Sequence, residues 1–322
     1  MSDYLNTLLV GTGPMAIDYH KVLKSINVNF CVVGRGVESC NKFYHETKTK
    51  PFSGGIKKYL LSEKNIPLNA IISVGIVELK DVAIDLIRSG VKNILIEKPG
   101  GLNDEELNQI SEIGKKYNSK IFIAYNRRFY SSVNKAIEII NEDNGLLSFN
   151  FEFTEWTNLI NSQEIPKIIL QNYFFANSSH VVDLAFYVAG APKEINTHVS
   201  GGLDWHKSGS IFSGSGISKK NALFSYRANW NSPGRWGIEF LTKSYCLILR
   251  PMEKLQIQKL NSIETEYDST VDYSLDEKYK PGLFKQVDCF INFKTCTQSF
   301  KLCTIEEQIN NYRSFYKQMA NY

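Results

Sequence analysis

The stretch LLVGTGPMA, residues 8–16, carries the pattern that decides the fold. It places Gly-x-Gly-x-x-Ala between an apolar strand and a helical pattern, where Gly11 permits a tight turn, Gly13 admits a pyrophosphate and Ala16 keeps helix and strand close. Pro14 suits the first helical turn because its missing N–H costs nothing there. This pattern predicts a dinucleotide-binding turn, although a plain packing turn would look alike. The cofactor-binding residues predicted from it are Gly11, Thr12, Gly13, Pro14 and Met15.

Strand and helix patterns alternate after this turn. Further apolar strand patterns lie at residues 28–33, 70–74, 93–96 and 121–124. Repeated βα units are typical of a parallel, doubly wound sheet, which binds ligands at the carboxyl ends of its strands. Gly75, Glu97 and Tyr125 are therefore expected along that edge, with Gly75 and Glu97 as cofactor contacts.

Residue 35 bears on the choice of cofactor. Where an acidic residue would hold the ribose 2′-hydroxyl of NAD, the second strand ends at Gly34-Arg35-Gly36. A guanidinium suits a 2′-phosphate, so NADP is favoured over NAD. The alternative is a solvent-facing arginine in a loop.

The second half of the chain shows a different pattern. Apolar and polar residues alternate at 147–155, as in an antiparallel strand that packs one face on helices, and similar strands follow at 222–230, 236–241 and 245–249. A chain of 322 residues is long enough for two domains. We therefore predict an α/β protein with a Rossmann dinucleotide-binding domain at 1–124 and a second α/β domain at 125–322.

Composition excludes several functional classes. The formal charge is only +4 and the lysines are dispersed, so the sequence has no basic cluster of the kind that binds nucleic acid. No apolar run is long enough for a membrane span. The N-terminus lacks the basic region of a signal peptide. Cys289, Cys296 and Cys303 are evenly spaced but have no histidine nearby, so we expect no metal site. Reduced cysteines and a cytoplasmic location are expected.

Three motifs carry a resemblance to a known family. GTGPMA, IEKPGGLNDEE and AYNRRF occur in an order and at separations similar to those of the Gfo/Idh/MocA oxidoreductases. The resemblance is strong over residues 1 to about 130 and weaker to the end. It implies a Rossmann domain, then a substrate-binding and oligomerisation α/β domain at 125–322 whose large, mostly antiparallel open sheet forms homodimers or homotetramers. The nicotinamide would lie between the two domains.

Lys98 is the first catalytic candidate. The resemblance implies that the lysine of Glu97-Lys98-Pro99 lies beside nicotinamide and substrate and that its bond to proline is often cis. A partly desolvated lysine near a positive ring is expected to have a lowered pKa, and can exchange a proton with the reacting hydroxyl. The alternative is a lysine that merely ends a strand with its amine in water.

His180 is the second catalytic candidate. In the family, a histidine that approaches the reacting hydroxyl has an aspartate four residues before it and another three after it. Here His180 and Asp183 match and are expected to contact the substrate, with Asp183 orienting the imidazole. Ala176 replaces the first acid, which puts the proton relay in doubt. Asn177 is expected to substitute in hydrogen bonding only. Alternatively, His180 makes a structural hydrogen bond and Asp183 merely caps and packs.

Other site residues come from the same resemblance and from side-chain chemistry. Asn126 is predicted to contact the cofactor, and Arg127 the substrate. Trp156 and Arg235 supply an aromatic face and a guanidinium, which suit sugar rings and anionic groups, although both could be turn or core residues. The remaining four histidines are interpreted as structural or surface residues.

The resemblance and these residues imply an NAD(P)-dependent oxidoreductase, with surface-glycan biosynthesis as one setting. It would interconvert a secondary alcohol and a ketone on a sugar, sugar nucleotide or sugar acid, with Lys98 and His180 handling the proton and no metal required. One alternative is a non-catalytic dinucleotide-binding regulator. The other is an enzyme that retains NAD and carries out epimerisation or elimination.

Overall fold

The computed structural model describes residues 5–161, 164–292 and 301–322. The chain divides into two compact units: Met1–Tyr125 with Leu283–Ile309, and Asn126–Gly282 with Asn310–Tyr322. Residues 283–292 and 301–309 thus return to the first unit, whereas the predicted domains separate once, after residue 124. The division into 1–124 and 125–322 stays a prediction about domain function.

The strands and helices alternate along the first part of the chain. The strands are β1 Thr7–Val10, β2 Phe30–Gly34, β3 Phe52–Ser53, β4 Asn69–Ile72, β5 Asn93–Glu97, β6 Lys120–Ala124, β7 Ser148–Glu152, β8 Pro192–Ser200, β9 Ile211–Ser218, β10 Leu223–Asn229, β11 Gly237–Leu241, β12 Tyr245–Leu249, β13 Gln256–Lys259, β14 Thr265–Tyr267 and β15 Cys303–Thr304. The α-helices are α1 Pro14–Ser25, α2 Val37–Thr47, α3 Gly55–Ser62, α4 Leu79–Arg88, α5 Asp104–Tyr117, α6 Ser131–Glu142, α7 Thr157–Asn161, α8 Lys167–Gln171, α9 Ser179–Ala189, α10 Ser274–Lys278, α11 Leu283–Ile291, α12 Ile305–Asn311 and α13 Lys317–Ala320.

The first unit contains a parallel sheet in the order β15-β6-β5-β4-β1-β2-β3, in which only the pairing of the late strand β15 with β6 is antiparallel. β1 lies between β2 and β4, with Val10 opposite both Val33 and Ile72. The chain therefore reverses its direction of travel across the sheet at β1. Such a switch point opens a crevice at the carboxyl ends of the strands, where Gly11 follows β1.

The second unit contains an open sheet in the order β14-β13-β12-β11-β7-β10-β9-β8, antiparallel except for the pairing of β7 with β10. On its buried face, the ring centroids of Phe149 and Phe224 are 5.3 Å apart, and those of Phe149 and Phe186 on α9 are 6.0 Å apart. The alternation in the sequence thus gives one face packed on helices. The predicted α/β class, with one parallel and one mostly antiparallel sheet, is confirmed.

Two further expectations concern the cysteines and membranes. Cys31, Cys40, Cys246 and Cys303 are thiols, as expected. The expectation of a reduced cysteine is wrong for Cys289, which is disulfide-bonded; Cys296, which belongs to the same predicted series, lies outside the described residues. Among the helices that the structure describes, none combines the length and the apolar content needed to cross a bilayer.

His206 is fully buried in the second unit and holds the C-terminal residue. Its Nδ1 lies 2.8 Å from the carbonyl oxygen of Gly209 and its Nε2 lies 3.2 Å from the Tyr322 hydroxyl. A carbonyl only accepts, so Nδ1 donates to Gly209 and Nε2 is left to accept from Tyr322. Burial lowers the pKa of His206, which favours this neutral imidazole.

We expect this histidine to make the protein less stable in acid. Because the folded-state pKa lies below the unfolded value of about 6.5, the unfolded chain takes up a proton first as the pH falls, and the free energy of unfolding decreases below that pH. In urea titrations from pH 8 to 5, His206→Gln should lose less stability than the wild type. His20, whose pKa is also lowered by burial, contributes equally to both proteins. Identical pH slopes for the two proteins would contradict the assignment.

Candidate functional site

The turn after β1 has the backbone features that a dinucleotide site needs. Gly11 has a φ of +128°, and a Cβ there would collide with the backbone oxygen of Ser73. At Gly13, the residue before α1, a Cβ would meet no described atom within 4 Å, and no side chain caps this helix start. A helix N-terminus with open space before it favours a phosphate. These residues therefore fit the pyrophosphate of a dinucleotide.

A cleft of about 440 Å³ lies beside this turn within the first unit. Its lining includes Gly11, Gly34 and Arg35. The Arg35 guanidinium is largely exposed and forms an ion pair with Glu78, which also lines the cleft. The structure thus brings Arg35 to the cleft, but it also supplies a carboxylate partner that a 2′-phosphate would have to displace.

The other predicted cofactor residues occupy several places. Thr12 donates a hydrogen bond of 3.1 Å to the hydroxyl of Ser39. Gly75 precedes a short 3₁₀ turn, and no described atom lies within 4 Å of a Cβ built there. In the second unit, Asn126 is buried and its amide donates to the carbonyl oxygen of Pro281 at 2.9 Å. A cofactor contact of Asn126 remains a prediction.

Lys98 follows β5 and is half-buried, and its bond to Pro99 is cis, as the resemblance implies. Hydrogen bonds hold the residues on both sides of it. The Tyr19 hydroxyl on α1 donates to Oε1 of Glu97 at 2.6 Å. Burial, and then the charge of Glu97, raise the pKa of Tyr19, so this hydroxyl keeps its proton. Glu97 is thereby tied to the helix that begins at the dinucleotide turn.

Gln308 holds the other side of the Lys98 segment. Its side chain is fully buried, and its Nε2 donates to the carbonyl oxygen of Pro99 at 3.0 Å and to the Tyr125 hydroxyl at 2.9 Å. The returning strand β15 places it there by pairing with β6. Sequence reasoning missed both Tyr19 and Gln308, because nothing in local spacing links them to Lys98.

His180 lies in the first turn of α9 in the second unit. It is 7% exposed, and its ring centroid lies 6.2 Å from that of Trp236. Asp183, one turn further on, accepts bonds of 2.8 and 2.5 Å from Nε and Nη2 of Arg128. Both side chains are 1% exposed. The pair lies within the second unit and occupies both oxygens of Asp183, so a contact between Asp183 and substrate stays an untested prediction.

Glu155 is the centre of a polar cluster that sequence reasoning missed. Its buried carboxylate accepts from Asn177 at 3.1 Å to each oxygen, from Ser178 at 2.7 Å and from Arg235 at 3.4 Å. This carboxylate comes from the segment that follows β7, whereas position 176 holds a buried alanine. Asn177 makes hydrogen bonds, as expected, but to Glu155 and the Tyr173 hydroxyl.

Aromatic rings hold the guanidinium of Arg235. Its Cζ lies 4.5 Å from the ring centroid of Trp156 and 4.3 Å from that of Trp236. Arg127 also contacts Trp236, with its Cζ 4.7 Å from the centroid. The Trp156 indole donates to the Gly234 carbonyl oxygen at 2.8 Å, which fixes the ring. The structure therefore joins these predicted substrate residues and His180 in one cluster around Trp236.

A cleft of about 510 Å³ adjoins this cluster within the second unit. Glu155, Trp156 and Trp230 line it together with asparagine and serine side chains. Aromatic faces with hydrogen-bonding groups around them suit a carbohydrate, whose rings present both C–H and hydroxyl groups.

Comparisons with known proteins give a consistent fold. No protein-family model matches the chain, and no curated protein matches it. Among solved structures, levoglucosan dehydrogenase in complex with NADH and levoglucosan is similar, with a TM-score of 0.75 and 16% identity over 98% of this chain and 96% of that one.

Two others cover the same shares, 98% of this chain and 96% of theirs. UDP-N-acetylglucosamine 3-dehydrogenase GnnA from Acidithiobacillus ferrooxidans has a TM-score of 0.72 at 13% identity. An oxidoreductase from Agrobacterium radiobacter, in complex with NAD+, L-tartaric acid and magnesium, has a TM-score of 0.74 at 10% identity. The chain therefore shares the fold of these oxidoreductases over nearly its whole length.

Proposed function

We propose that this protein is an NAD(P)-dependent oxidoreductase of the Gfo/Idh/MocA type that interconverts a secondary alcohol and a ketone on a sugar, sugar nucleotide or sugar acid. The observation that carries the proposal is Lys98, half-buried after β5 in the unit that holds the dinucleotide turn. The Glu97 side chain before it accepts from Tyr19, and the Pro99 carbonyl after it accepts from Gln308. The full-length likeness to sugar dehydrogenases solved with NADH supports it.

The chemistry divides between cofactor and protein. A bound nicotinamide supplies or accepts the hydride. Gly11, Gly13 and the start of α1 would hold the pyrophosphate. Lys98 would donate a hydrogen bond to the substrate oxygen and exchange its proton, and its charge would stabilise the developing alkoxide. His180 is the second proton carrier in this proposal, because an imidazole titrates near neutral pH.

The test is the near-ultraviolet absorbance of reduced nicotinamide during incubation with NAD+ or NADP+ and a panel of sugars, sugar acids and sugar nucleotides. Substrate-dependent reduction supports the proposal. Cofactor binding without turnover on any member would instead favour a regulator, and NAD that copurifies without net reduction would favour transient oxidation during epimerisation or elimination. Surface-glycan biosynthesis, a homodimer or homotetramer and a cytoplasmic location stay predictions.

We propose NADP as the favoured cofactor, with Arg35 as the residue that determines the preference over NAD. We expect Arg35→Asp to lower the ratio of kcat/KM for NADP to that for NAD by about 100-fold, because one charge-assisted guanidinium–phosphate contact is worth roughly 1.5–3 kcal/mol. The control is Arg88→Asp, which changes an exposed arginine on α4 outside the cleft. An unchanged ratio would show that Arg35 serves only its ion pair with Glu78.

A further inference from the structure

Arg127 differs from the other arginines near it in the described part of the second unit. Arg128, Arg227, Arg235 and Arg250 each pair with a carboxylate. The Arg127 guanidinium has neither a hydrogen-bond nor an ion-pair partner among the described residues, and its Nε is buried. A buried donor normally has an acceptor, so the Nε of this guanidinium lacks the acceptor that such a donor usually has.

Aromatic rings hold Arg127 in place without supplying that acceptor. Its Cζ lies 4.7 Å from the ring centroid of Trp236 and 5.9 Å from that of Tyr130. Such contacts stabilise a cation and limit its motion. Trp236 is itself 7% exposed, and its Nε1 also has no partner within the described residues. Two adjacent donors therefore lack acceptors in one cluster.

The charge balance of the cluster points to an anion. Arg235 is the second arginine whose guanidinium contacts the Trp236 ring, and it already pairs with the Glu155 carboxylate at 3.4 Å. The Arg127 guanidinium makes no ion pair among the described residues, and Glu253, the carboxylate beside Tyr130, accepts from the Tyr130 hydroxyl. The cluster also adjoins the candidate proton carrier, since the His180 ring centroid lies 6.2 Å from that of Trp236. A group bound by Arg127 would belong to a molecule within reach of His180.

We propose that Arg127 and the Trp236 indole N–H bind an anionic group of the substrate, either a carboxylate or a phosphate. A guanidinium binds both groups in a bidentate manner, and the indole adds one donor. This inference rests on the proposed function and narrows it. The substrate is a sugar acid or a phosphate-bearing sugar, and neutral sugars are poor ligands.

The test is calorimetric binding to the full chain, with and without NADH. The probes are glucose, galactose and mannose, each as the neutral sugar, the uronate and the 1-phosphate. At least one uronate or 1-phosphate should have a Kd 10-fold or more below that of its neutral sugar. Comparing the uronates with the 1-phosphates shows whether the site prefers a carboxylate or a phosphate. Arg127→Met should weaken that binding by about 10- to 100-fold, the worth of a hydrogen-bonded charge.

Two further variants make the result specific. Trp236→Phe removes the N–H and keeps the ring packing, so it should weaken anion binding. It also serves if Arg127→Met does not fold. Arg227→Met, an exposed arginine paired with Glu152, should bind as the wild type does.

The inference is overturned if no anionic probe exceeds its neutral form, or if both Arg127→Met and Trp236→Phe bind anions normally. Calorimetry measures binding without turnover, so this test remains valid even if the protein is not a dehydrogenase. Turnover of a neutral sugar that Arg127→Met does not impair would instead sink only the inference.

Discussion

Lys98→Met lowers kcat for oxidation of the sugar substrate by about 1000-fold in our account, and leaves the Kd for NADH within about threefold. A positioned acid or base contributes roughly 10²- to 10⁴-fold to a proton-transfer step. Methionine keeps the length and apolar contacts of the side chain but can neither donate a hydrogen bond nor exchange a proton. Steady-state kinetics with the best substrate, and fluorescence titration of NADH, measure the two quantities.

A matched control separates the loss of the catalytic amine from the loss of one positive charge. Lys115→Met removes one positive charge from the exposed surface of α5 in the same unit and should leave kcat unchanged. If Lys98→Met kept more than about a tenth of the wild-type kcat, well outside the range for acid–base catalysis, Lys98 would be a strand-end residue and the proposal would lose its main catalytic group.

The second large effect is on stability and concerns Asp183. Asp183→Asn should lower the free energy of unfolding by about 3–5 kcal/mol, because it leaves the Arg128 guanidinium buried without its counter-charge. Urea unfolding followed by tryptophan fluorescence measures the change, since the tryptophans lie in the second unit. The double variant Arg128→Met with Asp183→Leu should recover much of the loss, because buried pairs are often replaceable by apolar side chains.

Asp204→Asn is the control for this variant, because its ion pair with Lys207 is fully exposed and surface pairs contribute little. A loss below about 1 kcal/mol in Asp183→Asn would contradict a structural role for the Arg128–Asp183 pair. So small a loss would instead favour a contact between Asp183 and the substrate.

Local periodicity in the sequence predicted the two kinds of sheet, but not every connection of the fold. The glycine turn and the apolar runs after it gave the parallel sheet, and the alternation at 147–155 gave a strand of the second sheet with one buried face. These predictions succeed because the spacing of apolar residues reports directly on burial. The return of residues 283–292 and 301–309 to the first unit could not be predicted in this way, because a helix pattern does not say which sheet it covers.

The site could be predicted only in part. Motifs pointed to Lys98 and His180, whose roles remain predictions, but the groups that hold the surrounding backbone were missed. Glu155 reaches Asn177 and Ser178, and Gln308 reaches Pro99, through contacts between residues far apart in the chain. Such contacts depend on how elements pack, and no pattern within either segment encodes them.

The most direct test is a crystal structure of the protein with its preferred reduced coenzyme bound. Our account predicts that the Lys98 amine lies within about 4 Å of the nicotinamide ring, close to the 3–3.5 Å separation of reacting groups. A Lys98 side chain directed to bulk water, with the ring out of its reach, would contradict it.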